Sequence, residues 1–288
     1  MNQENLNKLI NQALAIEEIE AKEAGALGYM ARVLVQATLP HKDPKSTTFE
    51  RSNGKLSLAI MSHSQIGLPY GTYPRLLLSW LVTEAVRTKS RELLLGSSLS
   101  KFMSELNLIP SGGRWGTIWR LRDQMRRLFS ASISCVYENE YEAGGLNFNI
   151  AKEYQLWWDP KNPNQADFWT SKVVLGSDFF DEIVDRPIPI DMRVLKSLKG
   201  SSMALDLYCW LTYRLSYLKC QTEIPWVLLQ RQFGSDYANT KQGRYKFKKK
   251  LIIQLRKVMV VYEAASKMVP GEHGLILSPS NPHVRKLT

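Results

Sequence analysis

The sequence predicts an α+β fold, predominantly helical, in which one order of elements occurs twice: helix, short strand, helix, turn, helix, hairpin. Three observations predict it. Apolar residues recur at three- and four-residue steps in several windows, the mark of helices with one buried face. Short apolar runs lie between Gly- and Pro-containing turns, as strands do. In each half the last helical window is rich in Arg or Lys and is followed by a hairpin pattern.

The chain has 288 residues, which suits two domains of ordinary size better than one. Its composition, 44% hydrophobic and 23% charged, is globular and sufficient for a core without disulfide staples. The chain is expected to divide into residues 1–54 (N-terminal helix and linker), 55–152 (first domain), 153–189 (aromatic interdomain segment) and 190–288 (second domain).

Residues 1–25 carry Leu6, Leu9, Ile10, Ala13, Ile16 and Ile19 at near-helical spacing, a helix too polar to stand alone. Residues 38–55, with Pro40, Pro44 and Gly54, read as a loop. The first domain opens with a strand at Leu56–Met61 and the turn Gly67-Leu-Pro-Tyr-Gly71. A helix follows from about Pro74, where a proline is tolerated, with Leu76, Leu77, Trp80, Leu81 and Ala85 on one face. Arg91–Leu95 is strand-like, and Ser97 or Ser98 caps a short helix through Leu106. After the turn Pro110-Ser-Gly-Gly113, a helix runs from Arg114 to Phe129, then a hairpin pairs Ile133–Tyr137 with Leu146–Ile150.

The order returns in the second domain. Helices are predicted at Met192–Leu198, Met203–Leu218, Trp226–Phe233 and about Thr240–Val258, then a hairpin of Val260–Ala264 and Leu275–Leu277 about Pro270-Gly271. A helix-turn-helix followed by a β hairpin is the order of a winged helix, so the expectation is two tandem winged-helix domains. Between them, Trp157-Trp158, Phe168-Trp169 and Phe179-Phe180 suit an interface core better than a base-stacking platform.

Charge narrows the function. Lys and Arg number 38 against 27 Asp and Glu, a formal net charge of +11. Such an excess attracts polyanions, nucleic acid first and anionic membrane second, although a merely basic protein shows the same sum. No apolar stretch approaches the ~20 residues of a membrane helix, and the Asn- and Glu-rich N-terminus is no signal peptide. Cys135, Cys209 and Cys220 lack C-x-x-C spacing and read as reduced, mostly buried thiols of a cytosolic chain. The four histidines are scattered, so no metal site and no cofactor is expected. No Walker motif is present. Asp178, Asp181 and Glu182 read as a helix start, not a catalytic cluster. The expected activity is binding, without enzymatic chemistry.

The basic helices supply the candidate site. If Ile118, Leu121, Met125 and Leu128 face inward, the opposite stripe is Arg114, Thr117, Arg120, Gln124 and Arg127. These residue types can take guanine, adenine or phosphate in a major groove. In the second domain, the eight basic residues from Lys241 to Lys257 have no acidic residue among them. With Phe247, Leu251, Leu255 and Val258 inward, Gln242, Tyr245, Lys246 and Lys249 lie opposite. Arg244, Lys248 and Lys250 flank them as phosphate clamps, and Lys241 is a further DNA-binding candidate. Like charges repel along a helix, so a single-sign face points to an anionic partner more than to plain solvent.

Several runs carry a family resemblance: Gly67-Leu-Pro-Tyr-Gly-Thr-Tyr-Pro-Arg75, Trp80-Leu-Val-Thr-Glu-Ala-Val-Arg-Thr-Lys89, Gly112-Gly-Arg-Trp-Gly-Thr117, Leu121-Arg-Asp-Gln-Met-Arg-Arg-Leu-Phe129 and Leu205-Asp-Leu-Tyr-Cys-Trp-Leu-Thr-Tyr213. Over about residues 55–260 the chain resembles the plasmid-encoded RepA replication initiators. The resemblance implies a bacterial cytoplasmic protein that binds iterons in double-stranded origin DNA and promotes melting of adjacent A·T-rich sequence. It further implies help in recruiting the host replicative helicase and initiator proteins, and a homodimer in autorepression and copy control. The first winged helix then carries dimer contacts and the second the stronger DNA contact. A winged-helix transcriptional regulator shares the same DNA-contact physics and stays open as the alternative. A nicking or primase-like enzyme lacks its metal-ligand cluster, and a membrane-surface protein lacks a large exposed apolar face.

Overall fold

A computed structural model describes residues 3–17, 19–54, 56–138, 143–156, 171–234 and 236–284. In chain order the elements are α1 (Gln3–Glu17), β1 (Leu27–Met30), α2 (Arg32–Gln36), β2 (Thr48–Ser52), β3 (Leu56–Met61), α3 (Tyr73–Thr88), β4 (Glu92–Leu94), α4 (Leu99–Glu105) and α5 (Thr117–Phe129). Then follow β5 (Ser132–Glu138), β6 (Ala143–Asn149), β7 (Ala151–Gln155), β8 (Lys172–Leu175), α6 (Ser177–Asp185), β9 (Ile188–Asp191) and α7 (Met192–Leu198). The chain continues through α8 (Ser202–Leu215), β10 (Thr222–Pro225), α9 (Trp226–Phe233), α10 (Lys241–Val261), a 3₁₀ turn (Glu263–Lys267), β11 (Val269–Pro270) and β12 (Gly274–Leu277). The fold is α+β as expected, but with 46% helix and 21% strand it is mixed, with a larger share of sheet than "predominantly helical" conveys.

Hydroxyl and carboxyl caps start many of these helices. Ser98 accepts a bond from the Lys101 amide at α4, Asp191 from Arg193 at α7, Ser201 from Ala204 at α8, and Thr240 from Gly243 at α10. Each satisfies a backbone N–H that the helix itself leaves unpaired. α3 begins with Pro74 in its first turn and ends on Lys89 in the left-handed conformation, φ 54°. α3 and α8 are buried on nearly every side, α8 from Met203 through Thr212 and again at Leu215. An apolar helix of this kind belongs in a core and not on a surface.

Among the described residues, four antiparallel sheets accompany these helices. β1 pairs with β9 from Leu27↔Asp191 to Met30↔Ile188. The other orders are β2-β3-β5-β6, β4-β8-β7 and β10-β12-β11. The expected first hairpin exists, with Ile133 opposite Phe148, but β5 also pairs along β3 from Leu56↔Tyr137 to Met61↔Ser132. It is therefore half of a four-stranded sheet. The sheet that follows the helical order of the N-terminal half is instead β4-β8-β7. Its strand order, first-third-second, is that of β10-β12-β11 in the C-terminal half. The expected first hairpin, β5 and β6, thus stands between α5 and β7 and belongs to another sheet.

Other expectations shift. Residues read as a loop before Lys55 contain β2, whose alternating burial at Phe49 and Arg51 fits a one-sided strand. Val260–Ala264 is not a strand: α10 runs on to Val261, and the strand lies later, at Val269–Pro270. Of the aromatic segment, residues 157–170 lie outside the described residues. Phe179 is buried in the core and stacks on Phe148 at 5.5 Å. α1 packs on α10 and α7, and Arg193 holds its C-terminal end by donating to the carbonyls of Ala15, Ile16 and Ile19. Cys135 and Cys209 are buried free thiols, whereas Cys220 is exposed, because α8 ends at Leu215, before it.

One continuous apolar core runs through both halves. A polar cluster is set into it. Arg75 on α3 donates to both carboxylate oxygens of Asp206 on α8, each at 2.7 Å, and its remaining N–H groups go to the carbonyls of Leu39, Pro40 and Gly71. His41 Nε2 lies 2.7 Å from the same carboxylate. Beside it, the buried Arg51 donates to the Gln232 and Leu39 carbonyls.

Candidate nucleic-acid interface

α5 is amphipathic, and Ile118, Leu121, Met125 and Leu128 point into the core as predicted. The opposite face differs from the prediction. Gln124 is only 4% exposed. Its side-chain oxygen accepts from the Tyr70 amide at 2.8 Å and its nitrogen donates to Asp123 at 3.1 Å. Arg127 is also engaged: it donates to Asp123 at 2.8 Å and to the Leu68 carbonyl at 3.2 Å, with its guanidinium 5.3 Å from the Tyr70 ring. Neither residue is free to read a groove, because the Leu68–Tyr70 stretch lies against that side of the helix. Positive φ at Gly67 (83°) and Gly71 (79°) lets this loop turn there. A Cβ at Gly67 would lie 2.6 Å from Arg127 Nη1.

Thr117 is likewise a structural residue. Its hydroxyl donates to the Ile109 carbonyl at 2.6 Å and accepts from the Ser111 amide at 2.9 Å. Arg114 and Arg120 are exposed as expected. Trp115, Trp119 and Arg126 are exposed near them, with Arg122 half-buried beside Trp119, and none of these four is among the residues the sequence singled out. The missed signal was Gln124: three residues after Leu121 and four before Leu128, it sits about 40–60° from both on the helical wheel, at the edge of the buried arc.

On α10 the predicted phase holds. Gly243, Phe247, Leu251, Gln254, Leu255 and Val258 are buried, while Lys241, Gln242, Tyr245, Lys246, Lys249 and Lys250 are exposed. A Cβ at Gly243 would fall 2.0 Å from the Ala238 carbonyl oxygen, so the start of α10 is pressed against the preceding turn. The two expected clamps nearest the core are partly engaged. Arg244 donates to the Asn239 side chain at 3.3 Å. Lys248 donates to the Gly271 carbonyl in the β11–β12 turn at 3.1 Å, with its ammonium 4.6 Å from the Trp226 ring centre. Lys248 thereby ties the hairpin to the helix. Further along, Ile253 and Arg256 extend the exposed stripe. Among the described residues no group of three or more His, Cys, Asp or Glu side chains could hold a metal ion, and no helix is long and apolar enough to cross a membrane.

Electrostatics separates the buried cluster from this open face. Burial alone would raise the Asp206 carboxyl, but Arg75 and His41 outweigh it and hold the group well below the usual carboxylate range. Burial pushes the His41 imidazole down, opposed by Asp206. Burial also brings the Arg51 guanidinium down to about 10. These charges are spent on joining the halves, while the exposed charges of α10 remain available to an anion.

Fold and surface together define the class: an α+β protein of two similarly ordered halves locked through buried ion pairs, with a basic helix beside a small hairpin at its C-terminal end. The chain belongs to the family of plasmid-encoded RepA proteins, whose sequence profile matches residues 68–226, more than half its length. This is a family of plasmid replication initiators. The match takes in Arg75, α5 and Asp206 and ends at Trp226, before α10. Among curated proteins none matches the sequence. Of solved structures, domains 2 and 3 of RctB, crystallised as selenomethionine derivatives, superpose with a TM-score of 0.53. The superposition covers 86% of this chain and 99% of that one, at 12% sequence identity, and so speaks for the fold.

Proposed function

We propose that the chain initiates plasmid replication by binding repeated origin sequences in double-stranded DNA, with α10 in the major groove and the β11–β12 hairpin as its wing. The observation that carries this reading is the outward face of α10, where Gln242, Tyr245, Lys246 and Lys249 lie on one exposed side of a helix whose stretch from Lys241 to Lys257 lacks any carboxylate. The order α8, β10, α9, α10, β11, β12 with strands arranged first-third-second is that of a winged helix, whose third helix enters the groove. The first half repeats that element order in α3, β4, α4, α5, β7 and β8. In this reading Lys246 and Lys249 neutralise phosphates and Gln242 faces base edges. The protein acts in the bacterial cytoplasm without catalysis, promotes melting of A·T-rich sequence, helps recruit the host helicase and, as a homodimer, represses its own gene.

The test is binding of the purified protein to its own plasmid origin fragment and to scrambled DNA of equal length, over a series of salt concentrations. Origin-selective binding that persists at moderate salt, with protection repeating along the fragment, is the expected result. Equal binding to both fragments that vanishes as salt rises overturns the proposal.

A further inference from the structure

We infer that the surface around the start of α5 is a stacking platform for unpaired nucleobases, a single-stranded DNA site distinct from the duplex-facing α10; this rests on the reading of the chain as an origin-DNA binder. Three large apolar side chains stand open there: Ile109, 81% exposed, Trp115, 78%, and Trp119, 52%. Indoles at such exposure are costly in water and mark a binding surface.

Their setting identifies the ligand class. The Arg114 guanidinium lies 5.4 Å from the Trp115 ring centre and that of Arg122 5.7 Å from Trp119. Arg126 is exposed on the same helix. From Leu106 to Arg122 the chain has no acidic residue. Aromatic faces interleaved with arginines offer stacking to bases and charge to the phosphates between them. In a duplex the base faces are already covered by neighbouring pairs, so exposed indoles select unpaired bases.

The platform is also fixed in place. Thr117 and Ser111 bond each other through backbone and side chain, Ser111 amide to Thr117 Oγ1 at 2.9 Å and Thr117 amide to Ser111 Oγ at 3.0 Å. A Cβ at Gly116 would lie 2.2 Å from the Ser111 carbonyl oxygen, so the turn that presents Trp115 closes tightly on itself. Little order is left to be acquired on binding.

The experiment measures binding of fluorescein-labelled dT20 and of the blunt-ended duplex origin fragment to the full chain, to W115A/W119A and to W115F/W119F. Unchanged circular dichroism and melting confirm that each variant folds. The expected result is a loss of dT20 affinity of roughly tenfold or more in the Ala pair, the scale of removing stacked bases. Duplex affinity stays within about twofold and the Phe pair keeps most of the dT20 binding. Absence of dT20 binding in the unmodified chain, equal dT20 binding by the Ala pair, or a parallel loss of duplex binding each overturns the platform. Failure of the unmodified chain to select its origin duplex overturns the proposed function instead, so the two outcomes are separable.

Discussion

Arg75 and Asp206 meet in two parallel 2.7 Å hydrogen bonds between α3 and α8, both side chains almost fully buried. All five guanidinium N–H groups are used, three of them on the backbone carbonyls of Leu39, Pro40 and Gly71. A planar fork is needed for this, which only arginine supplies. Removing one partner leaves the other charge buried. Arg75→Ala and Asp206→Asn should each destabilise the protein by about 3–5 kcal/mol, and Arg75→Lys should recover little. Urea unfolding followed by circular dichroism measures this; a loss below ~1 kcal/mol would show that the pair does not hold the halves together.

The same cluster predicts how stability depends on pH. His41 is held below its ordinary value of 6.5 by burial, and His283 likewise by burial. A histidine depressed in the folded state binds its proton more readily when unfolded, so its contribution is complete above 6.5 and is lost as pH falls below it. The carboxyl of Asp206 is depressed too, and its contribution is lost only in stronger acid, below its ordinary 3.8. The melting temperature should therefore hold from pH 8 to 7, fall between 6.5 and 5, and fall again below 4. His41→Gln should flatten the first decline; an unchanged profile in that variant would remove His41 as its source.

On α10 the exposed and engaged lysines should separate. Lys246→Ala with Lys249→Ala should leave stability within about 0.5 kcal/mol. It should also lower the slope of log affinity against log salt by about 1.8, from ~0.9 per phosphate contact. Lys248→Ala should instead loosen the β11–β12 hairpin through loss of the Gly271 bond and the Trp226 contact, visible as faster amide exchange there. Equal salt slopes for the parent and the double variant would contradict the duplex-facing assignment.

Gln124 and Arg120, which their spacing places on one groove-facing stripe, should separate. Gln124→Ala strands the Tyr70 amide and should cost about 1–3 kcal/mol, with base preference untouched. Arg120→Ala, at an exposed position over the Tyr73 ring, should cost under ~1 kcal/mol and show any effect in DNA binding. Thermal melting alongside selection from randomised DNA distinguishes the two.

The sequence alone determined the helices whose apolar period is strong, several almost to the residue: α7 and α9 lie where their spacing places them. It also set the outward phase of α10, because Phe247, Leu251, Leu255 and Val258 leave one arc for the core. The single-sign charge of that helix and the runs shared with the RepA family were legible too. Tertiary structure decided what depends on a partner distant in sequence. β2 and the β3–β5 pairing emerge only when strands from different segments meet, since pairing energy belongs to the ladder and not to a single run. The core stripe of α5 keeps its predicted phase, but the Leu68–Tyr70 loop covers Gln124 and Arg127 and leaves Trp115 and Trp119 on the open side. Arg75 and Asp206 sit 131 positions apart in two of the family-like runs. Nothing local marks them as partners, because an ion pair is defined by distance in space, which only the packing of α3 against α8 sets.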